Sequence, residues 1–245
     1  GHTGNLQDYV RIERMQDLFY DGMVEKGKWD IKVVNGGQVS IACEYVNGEY
    51  CFSRGDGNIF LKAKQPDKPG HQPNGLPQAP LTELNYLRFY RFKTIKKFES
   101  EDVGALLPPD GRNMVSLMYS SKTLRQLAGD YFSPSGLLFV VKPHEKEIEI
   151  QKQLEGVATS VPYHLSSDTL QRMIFYMTAI ESNKDATLVF EEPEAHAFPY
   201  YTKHLGERIS LDENKNQYFI ATHNPYLLTA IWEKSTAGEV AVFAT

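Results

Sequence analysis

Apolar and polar residues alternate along residues 29–64, with Val39, Ile41, Cys43 and Tyr45 on one face of a predicted strand. Alternation of this kind indicates a half-buried β-strand, because successive side chains point to opposite faces of the sheet. An Asn-Gly pair follows this run and favours a tight type I′ hairpin turn. This part of the chain is therefore predicted to form antiparallel strands.

The Asn-Gly turn predicts a register that separates the two cysteines of the chain. In this register Cys43 faces Phe52 and Cys51 faces Glu44, so the two sulfurs lie on opposite faces of the ribbon. A disulfide between them is not expected, and two reduced thiols are typical of a cytoplasmic protein. No secretory signal peptide is visible at the N-terminus, which favours the same location.

The pattern changes several times in the middle of the chain. Five prolines predict a loop or linker over residues 65–80. Apolar spacing predicts a helix over residues 113–129 and an amphipathic helix over residues 167–182. The remaining predicted elements are a short helix over 5–20, strands over 84–98 and 137–141, and a charged surface strand over 144–156.

From residue 187 onward the order becomes strand, helix, strand, helix, which indicates parallel strand pairing. The two strands are residues 187–190 and 218–222. The expected fold class is therefore α/β. An α/β lobe with a parallel sheet is predicted over residues 161–245, after an antiparallel β-rich part with a helical insert over residues 1–160.

Composition narrows the possible functions. The 245 residues are 41% hydrophobic and 23% charged, which suits a folded protein with a substantial core. The net charge of −5 gives no general basic surface for a nucleic acid, although a local patch stays possible. No apolar run approaches the roughly 20 residues that a membrane-spanning helix needs, so no membrane partner is expected.

Two carboxylates follow the strand at 187–190 directly. Glu191 and Glu192 stand at its end, and Pro193 stops the strand from continuing. Buried unpaired carboxylates are costly, so packing does not explain them, and ligands of open α/β sheets bind at the carboxyl ends of strands. Neighbouring strand residues face opposite sides, so we expect one acid to serve a metal ion and the other a water molecule. A solvent-exposed acidic turn is the alternative.

His223 and Asn224 follow the strand at 218–222, and a proline comes next. In a parallel sheet His223 would lie beside the acid pair, where an imidazole can bind a phosphate oxygen or a water. Asn224 and Pro225 are suited to starting the next helix. A plain turn histidine is the alternative.

A third motif opens the helix predicted over 167–182. Ser166 or Ser167 can cap this helix, and the free N–H groups of a capped N-terminus attract phosphate. An N-cap without a ligand is the alternative.

The order of these motifs resembles that of the ABC-type ATPases of the RecF, SMC and OLD group, and most of all the prokaryotic AAA ATPases in it. The shared features are a Leu-Ser-Ser helix start, an apolar strand ending in Glu-Glu-Pro-Glu, and a strand ending in Thr-His-Asn-Pro. The resemblance covers about residues 160–245. Residues 87–111 resemble the middle region of these proteins less specifically.

The resemblance implies a P-loop NTPase-like ATPase that binds ATP and Mg²⁺. Glu191 takes the Walker B metal position, Glu192 the catalytic carboxylate position and His223 the switch-histidine position. Ser166 and Ser167 take the start of the signature motif, which in the family contacts the nucleotide of a second protomer. The resemblance therefore implies a homodimer formed through the nucleotide, a DNA or effector-protein partner, and a role in DNA repair or phage defence.

Three departures from the family pattern limit this interpretation. Glu191 stands where aspartate is commoner, and Asp168 stands where glycine is usual, so its charge would repel a γ-phosphate unless it is turned away. No Walker A loop is recognised: residues 22–29 match Gly-x-x-x-x-Gly-Lys but end in Trp29, without the hydroxyl for Mg²⁺, and precede a strand. We therefore expect this chain to be catalytically incomplete, with its phosphate loop encoded upstream.

Two other functions stay open from the sequence. One is an ATPase-derived module without catalysis that binds protein or DNA. The other is a metal-dependent hydrolase or nuclease that uses Glu191, Glu192 and Glu194. His196 and His204 lie near Glu194, but no His-x-x-x-His or Cys-x-x-Cys spacing supports a zinc site.

Overall fold

The computed structural model describes residues 28–34, 38–46, 49–54, 59–64 and 87–243. The chain divides into two compact units, Gly1–Asn85 and Tyr86–Thr245. The helix predicted over residues 5–20 and the linker predicted over 65–80 lie outside the described residues. So do residues 22–27, which contain most of the near match to a phosphate loop.

The first unit contains a four-stranded antiparallel sheet in the order β1-β2-β3-β4. Its strands are β1 (Lys28–Val34), β2 (Gln38–Val46), β3 (Glu49–Arg54) and β4 (Ile59–Lys64). Cys43 pairs with Phe52 and Glu44 with Cys51 across β2 and β3. The predicted antiparallel strands and the hairpin register that separates the cysteines are confirmed.

The second unit combines α-helices with a parallel and an antiparallel sheet. Its strands are β5 (Leu87–Tyr90), β6 (Leu137–Lys142), β7 (Glu147–Leu154), β8 (Val157–Pro162), β9 (Thr187–Glu191) and β10 (Gln217–Ala221). Its helices are α1 (Met114–Ser120), α2 (Lys122–Phe132), α3 (Asp168–Ser182), α4 (Pro199–Ser210) and α5 (Pro225–Lys234).

The parallel sheet has the order β10-β9-β5. Thr187 at the start of β9 pairs with Gln217 of β10 and with Leu87 of β5. Helix α4 connects β9 to β10, as expected for a parallel βαβ unit. The prediction that the strands near 187–190 and 218–222 are adjacent and parallel is confirmed. The carboxyl ends of all three strands therefore meet at one edge of the sheet.

Helix α3 forms the centre of the core beside this sheet. Most of its residues from Thr169 to Ile180 are buried, which is typical of a helix enclosed on nearly all sides. Tyr176 packs edge-on against Phe190 of β9, with ring centroids 5.0 Å apart. On β5, the Tyr90 hydroxyl donates a 2.6 Å hydrogen bond to the Leu106 carbonyl, and Asn183 donates a 2.9 Å bond to that hydroxyl. These contacts anchor β5 and β9 to the same helix.

Strands β6, β7 and β8 form an antiparallel sheet in that order. Ile148 and Ile150 of β7 are buried and alternate with more exposed charged neighbours, which agrees with the surface strand predicted over 144–156. All six residues of β8 are exposed at the edge of this sheet. No strand was predicted over β8, and its two valines, Val157 and Val161, are exposed.

Three sequence-based expectations differ from the structure. The helix predicted over 113–129 is two helices, because Ser121 is extended and its side chain caps α2 by accepting from Leu124 N–H. Of the strand predicted over 84–98, the described residues 87–98 contain only β5. A boundary was expected near residue 160, whereas the two units divide after Asn85. Because β5 pairs with β9, β5 belongs to the same unit as the α/β lobe.

Over the ranges that the structure describes, no helix is both long and apolar enough to cross a bilayer.

Close packing of α4 on α5 generates a stability prediction. A Cβ added at Gly206 would lie 2.7 Å from the Ala230 Cβ and 3.2 Å from the backbone nitrogen of Ile231, whereas one added at Gly129 in α2 would meet nothing within 4 Å. We expect Gly206→Ala to lower the free energy of unfolding by about 1–3 kcal/mol through overpacking. The matched Gly129→Ala should raise it by about 0.5–1 kcal/mol through helix propensity.

Urea unfolding of the two variants beside the wild type measures both effects. Equal stability changes in the two alanine variants would contradict the close approach of α4 and α5.

Candidate functional site at the carboxyl edge of the parallel sheet

The acid pair marks the exit of the chain from β9. Glu191 is the last residue of the strand, and Glu192 adopts the left-handed region with φ of 42°. The Glu192 N–H donates a 2.8 Å hydrogen bond to the Ala221 carbonyl at the end of β10. Pro193 is buried directly after it and cannot donate to the ladder. The turn is therefore fixed to the neighbouring strand at its first residue.

His223 lies beside this turn. Ala221, the last residue of β10, pairs with Glu191, and His223 follows two residues later. The His223 Nε2 is 3.7 Å from the Glu192 Oε1, with side chains that are 94% and 51% exposed. Because both side chains are largely exposed, both are accessible to a ligand. A contact between such exposed groups contributes little to stability. The structure thus brings together two of the residues that the sequence singled out.

Arg91 is a residue of this edge that the sequence reasoning missed. It follows β5 directly, and its Nε lies 3.7 Å from the Glu191 Oε2, with both side chains partly exposed. Its backbone N–H donates a 2.9 Å bond to the Pro109 carbonyl, which fixes the end of the strand. The available signal was the strand predicted over 84–98, but the sequence showed neither that the strand ends at Tyr90 nor that it pairs with β9.

The two acids contact opposite neighbours, although for a different reason from the predicted one. Strand alternation does not separate them, because β9 ends at Glu191 and Glu192 already belongs to the turn. Instead, Glu191 contacts Arg91 after β5, and Glu192 contacts His223 after β10. Each acid is therefore directed to a different flanking strand.

Tyr176 of α3 contacts the backbone at the start of the acid turn. Its hydroxyl donates a 3.5 Å hydrogen bond to the Glu191 carbonyl. Burial raises the pKa of Tyr176 to about 12, so the side chain stays a neutral donor at ordinary pH. This contact joins the central helix to the last residue of β9.

Glu194 is the buried member of the acidic run, with only 5% of its surface exposed. The Thr222 hydroxyl donates a hydrogen bond to the Glu194 Oε1, and the Asn224 N–H donates a 2.9 Å bond to the Thr222 Oγ1. A three-carboxylate metal site is not formed: within 87–243 and the described strands before it, no group of three His, Cys, Asp and Glu residues is placed to hold a metal ion.

The two histidines considered beside Glu194 are held elsewhere. His204 stacks edge-on against Tyr131, with ring centroids 5.8 Å apart, and burial lowers the pKa of the His204 imidazole. His196 has its Nδ1 3.5 Å from the Asp168 Oδ2. These contacts separate the two imidazoles into different environments.

The start of α3 carries the predicted serines. Ser167 is the N-cap residue, but its side chain makes no capping hydrogen bond and is exposed. The Ser166 hydroxyl donates a 2.7 Å bond to the Tyr163 carbonyl, so it is engaged locally. Among the described residues, the hydrogen bonds of Ser166 and Ser167 run to Tyr163 and Gln171 and not to the acid pair.

Asp168 is turned toward two cationic or titratable partners. Its Oδ2 accepts a 2.9 Å hydrogen bond from the Arg172 Nε, and the His196 Nδ1 lies 3.5 Å from the same oxygen. The Arg172 guanidinium also lies 4.7 Å from the centre of the Phe92 ring. Thr169 donates a 3.0 Å bond to the His196 carbonyl. The start of α3 is therefore tied to the segment that follows the acid pair.

The residues at this edge suit a magnesium ion. Mg²⁺ prefers oxygen ligands and is usually held by one or two carboxylates together with water and substrate phosphates. Glu191 and Glu192 offer two partly exposed carboxylates at adjacent positions. The exposed imidazole and the guanidinium beside them are suited to binding phosphate oxygens.

Comparison with known proteins adds a family. Residues 91–229, more than half of the chain, match the profile of the family described as "AAA domain, putative AbiEii toxin, Type IV TA system". The matched region contains α3, β9 and β10 and all the site residues named above. No curated protein matches the sequence.

Among solved structures, the chain is similar to heads of SMC proteins. The SMC head domain from Thermotoga maritima is 14% identical with a TM-score of 0.38, over 83% of this chain and 65% of that one. An SMC head bound to the C-winged helix domain of ScpA is 12% identical with a TM-score of 0.49, over 90% and 74%.

A third structure comes from work on the ATP-driven dimerization and DNA-stimulated activation of SMC ATPases. It is 13% identical with a TM-score of 0.35, over 46% of this chain and 75% of that one. The second unit, with its helices, parallel sheet and antiparallel sheet, is a mixed α/β fold. On the profile match, which covers more than half of the chain, the chain belongs to the AAA-domain family described above.

Proposed function

We propose that this domain carries the ATP-hydrolysing half-site of an ABC-type ATPase. The observation that carries the proposal is the meeting of Glu192 and His223, 3.7 Å apart, at the carboxyl ends of adjacent parallel strands. Open α/β sheets bind ligands at this edge. The family assignment implies nucleotide binding, and the exposed acid and imidazole supply the groups that phosphoryl transfer to water requires.

Glu192 and His223 take complementary roles in this reaction. Glu192 orients the attacking water and accepts its proton, because a partly exposed carboxylate can reach a water in line with the terminal phosphate. His223 donates a hydrogen bond to a γ-phosphate oxygen and so stabilises the charge that develops there. The proximity of the Glu192 carboxylate to the His223 imidazole, at 3.7 Å, supports this pairing of roles.

Glu191 serves as the carboxylate ligand of Mg²⁺. Such an ion would supply positive charge that neutralises the phosphate oxygens of a bound nucleotide. Arg91, which contacts Glu191, adds a guanidinium suited to a phosphate oxygen at the same edge. In this assignment Glu191, which contacts Arg91 after β5, would hold the metal ion. Glu192, which contacts His223 after β10, would orient the water.

We further propose that the domain works as a homodimer through the nucleotide. Ser166 and Ser167 at the start of α3 would contact the nucleotide of the second protomer, as the signature motif does in the resembling family. The exposed hydroxyl of Ser167 supports this role. The Arg172 contact neutralises Asp168 and so reduces its repulsion of a γ-phosphate.

The proposal also includes a compartment, a process and a class of partner. The protein acts in the cytoplasm in DNA repair or phage defence, with DNA or an effector protein as partner. Because no Gly-x-x-x-x-Gly-Lys-Ser/Thr loop occurs in this sequence, the chain alone should hydrolyse ATP slowly. The same feature favours a second candidate function, a binding module without catalysis. Phosphate release from the full-length native protein distinguishes the two.

Replacing Glu192 by glutamine tests the assigned water-orienting carboxylate. In the full-length native protein we expect Glu192→Gln to lower kcat by roughly 100-fold or more, because the amide cannot accept the proton. Nucleotide affinity, measured with a fluorescent ATP analogue, should stay unchanged. Glu155→Gln is the matched control, since Glu155 is also an exposed glutamate at positive φ, in the β7–β8 turn. Normal turnover in Glu192→Gln would remove this residue from the mechanism.

Replacing Glu191 by glutamine tests the metal assignment separately. We expect the Mg²⁺ concentration that half-saturates nucleotide binding to rise roughly tenfold or more, because a charged ligand is lost. A titration with Mg²⁺ at fixed analogue concentration measures this shift. The exposed Glu233→Gln in α5 should leave the midpoint unchanged. An unchanged midpoint in Glu191→Gln would place the metal elsewhere.

A further inference from the structure

Glu194 is a buried carboxyl group to which the proposed mechanism gives no role. It is 5% exposed, two residues after Glu192. Among the described residues, its Oε2 has no hydrogen-bond partner, so the carboxyl group is only half satisfied. Burying a polar group in this way is unfavourable, and an apolar side chain would pack there at a lower cost. The other oxygen, Oε1, accepts a hydrogen bond, and its donor indicates the role of the carboxyl group.

The partner of Glu194 is Thr222, which precedes His223. The Thr222 hydroxyl donates to the Glu194 Oε1 and accepts a 2.9 Å hydrogen bond from the Asn224 N–H. This single hydroxyl therefore joins the acid turn to the residues on both sides of the imidazole. A hydroxyl that donates and accepts at once has a defined orientation.

The chain of hydrogen bonds from Glu194 through Thr222 continues to the start of helix α5. The Asn224 side chain accepts a 2.9 Å bond from the Tyr226 N–H, which caps the helix, and Pro225 occupies the first turn. His223 lies between Thr222 and Asn224 and is itself 94% exposed. So exposed a ring has little packing of its own, and its position depends on the backbone around it.

A second bond ties the same two turns together. The Glu192 N–H donates to the Ala221 carbonyl at 2.8 Å, which aligns the ends of β9 and β10. The backbone bond fixes Glu192, and the bond between Glu194 and Thr222 fixes the turn that carries His223. Without the bond between Glu194 and Thr222, the turn that carries His223 would lose its buried side-chain link to the acid turn.

We propose that Glu194 is a positioning residue that, through Thr222, holds His223 in register with Glu192. The inference rests on the proposed function of His223. Glu194 does not touch the substrate in this assignment, because its carboxyl group is buried and bonded to Thr222. Its effect on turnover is exerted through the imidazole alone.

Four variants of the full-length native protein test the link. Glu194→Ala and Thr222→Val remove the bond, and we expect kcat to fall by up to roughly 100-fold with KM and nucleotide affinity unchanged, since small misplacements of a catalytic group have effects of this size. Glu194→Gln keeps an acceptor and Thr222→Ser keeps the hydroxyl, so both should stay close to the wild-type rate. Equal losses in the conservative and disruptive variants would overturn the inference.

A double-mutant cycle with His223→Ala separates positioning from general destabilisation. If Glu194 acts through the imidazole, Glu194→Ala should lower kcat in the wild-type background and have no further effect in the His223→Ala background. Its effect on the thermal midpoint should be the same in both. Full additivity of the two losses in kcat would overturn the proposal.

Hydrogen exchange keeps the inference testable apart from the proposed function. Normal turnover in His223→Ala would refute the catalytic role of His223, and the amide exchange rates would then decide the positioning link by themselves. We expect the amides of Asn224 and Tyr226 to exchange faster in Glu194→Ala and Thr222→Val than in Thr222→Ser. Unchanged exchange in both disruptive variants would overturn the link itself.

Discussion

The parallel register of β9 with β10 on one side and β5 on the other is the constraint on which the candidate site depends. Because Glu191 pairs with Ala221, and Tyr90 pairs with Phe190, the residues just beyond the three strands meet at one edge. A slip of one residue would turn the side chains of a strand to the other face and remove this alignment. The site is therefore a consequence of strand pairing more than of any single contact.

The register in turn depends on the buried helix α3 and the aromatic residues around it. Tyr176 reaches from this helix to Phe190 and to the Glu191 carbonyl, and Tyr90 holds β5 through its hydroxyl. These groups are buried, whereas Glu192 and His223 are exposed. The structure thus separates the residues that position the edge from those that face a ligand. Such a division is expected where reactive groups must stay accessible yet keep a fixed geometry.

Much of the α/β lobe is predictable because its signals are local. Apolar runs, the proline after the acid pair and the Asn-Pro helix start predict β9, β10 and α5, each with correct type and order. The hairpin of β2 and β3 is predictable for the same reason, since an Asn-Gly turn sets its register. The split of the helix at Ser121 was missed, because serine is found in helix interiors as well as at caps.

The sequence by itself located β9 and β10 to within one residue, together with the acid pair and the imidazole that follow them, because these signals come from neighbours within a few positions along the chain. Only the tertiary structure decided that Arg91 contacts Glu191 and that the Thr222 hydroxyl donates to Glu194. Both contacts join residues at the ends of different strands, and long-range pairing leaves no periodic trace in the sequence. Burial separates the roles of the three acids in the same way: Glu191 and Glu192 reach solvent while Glu194 does not, because the turn at Glu192 changes the direction of the chain.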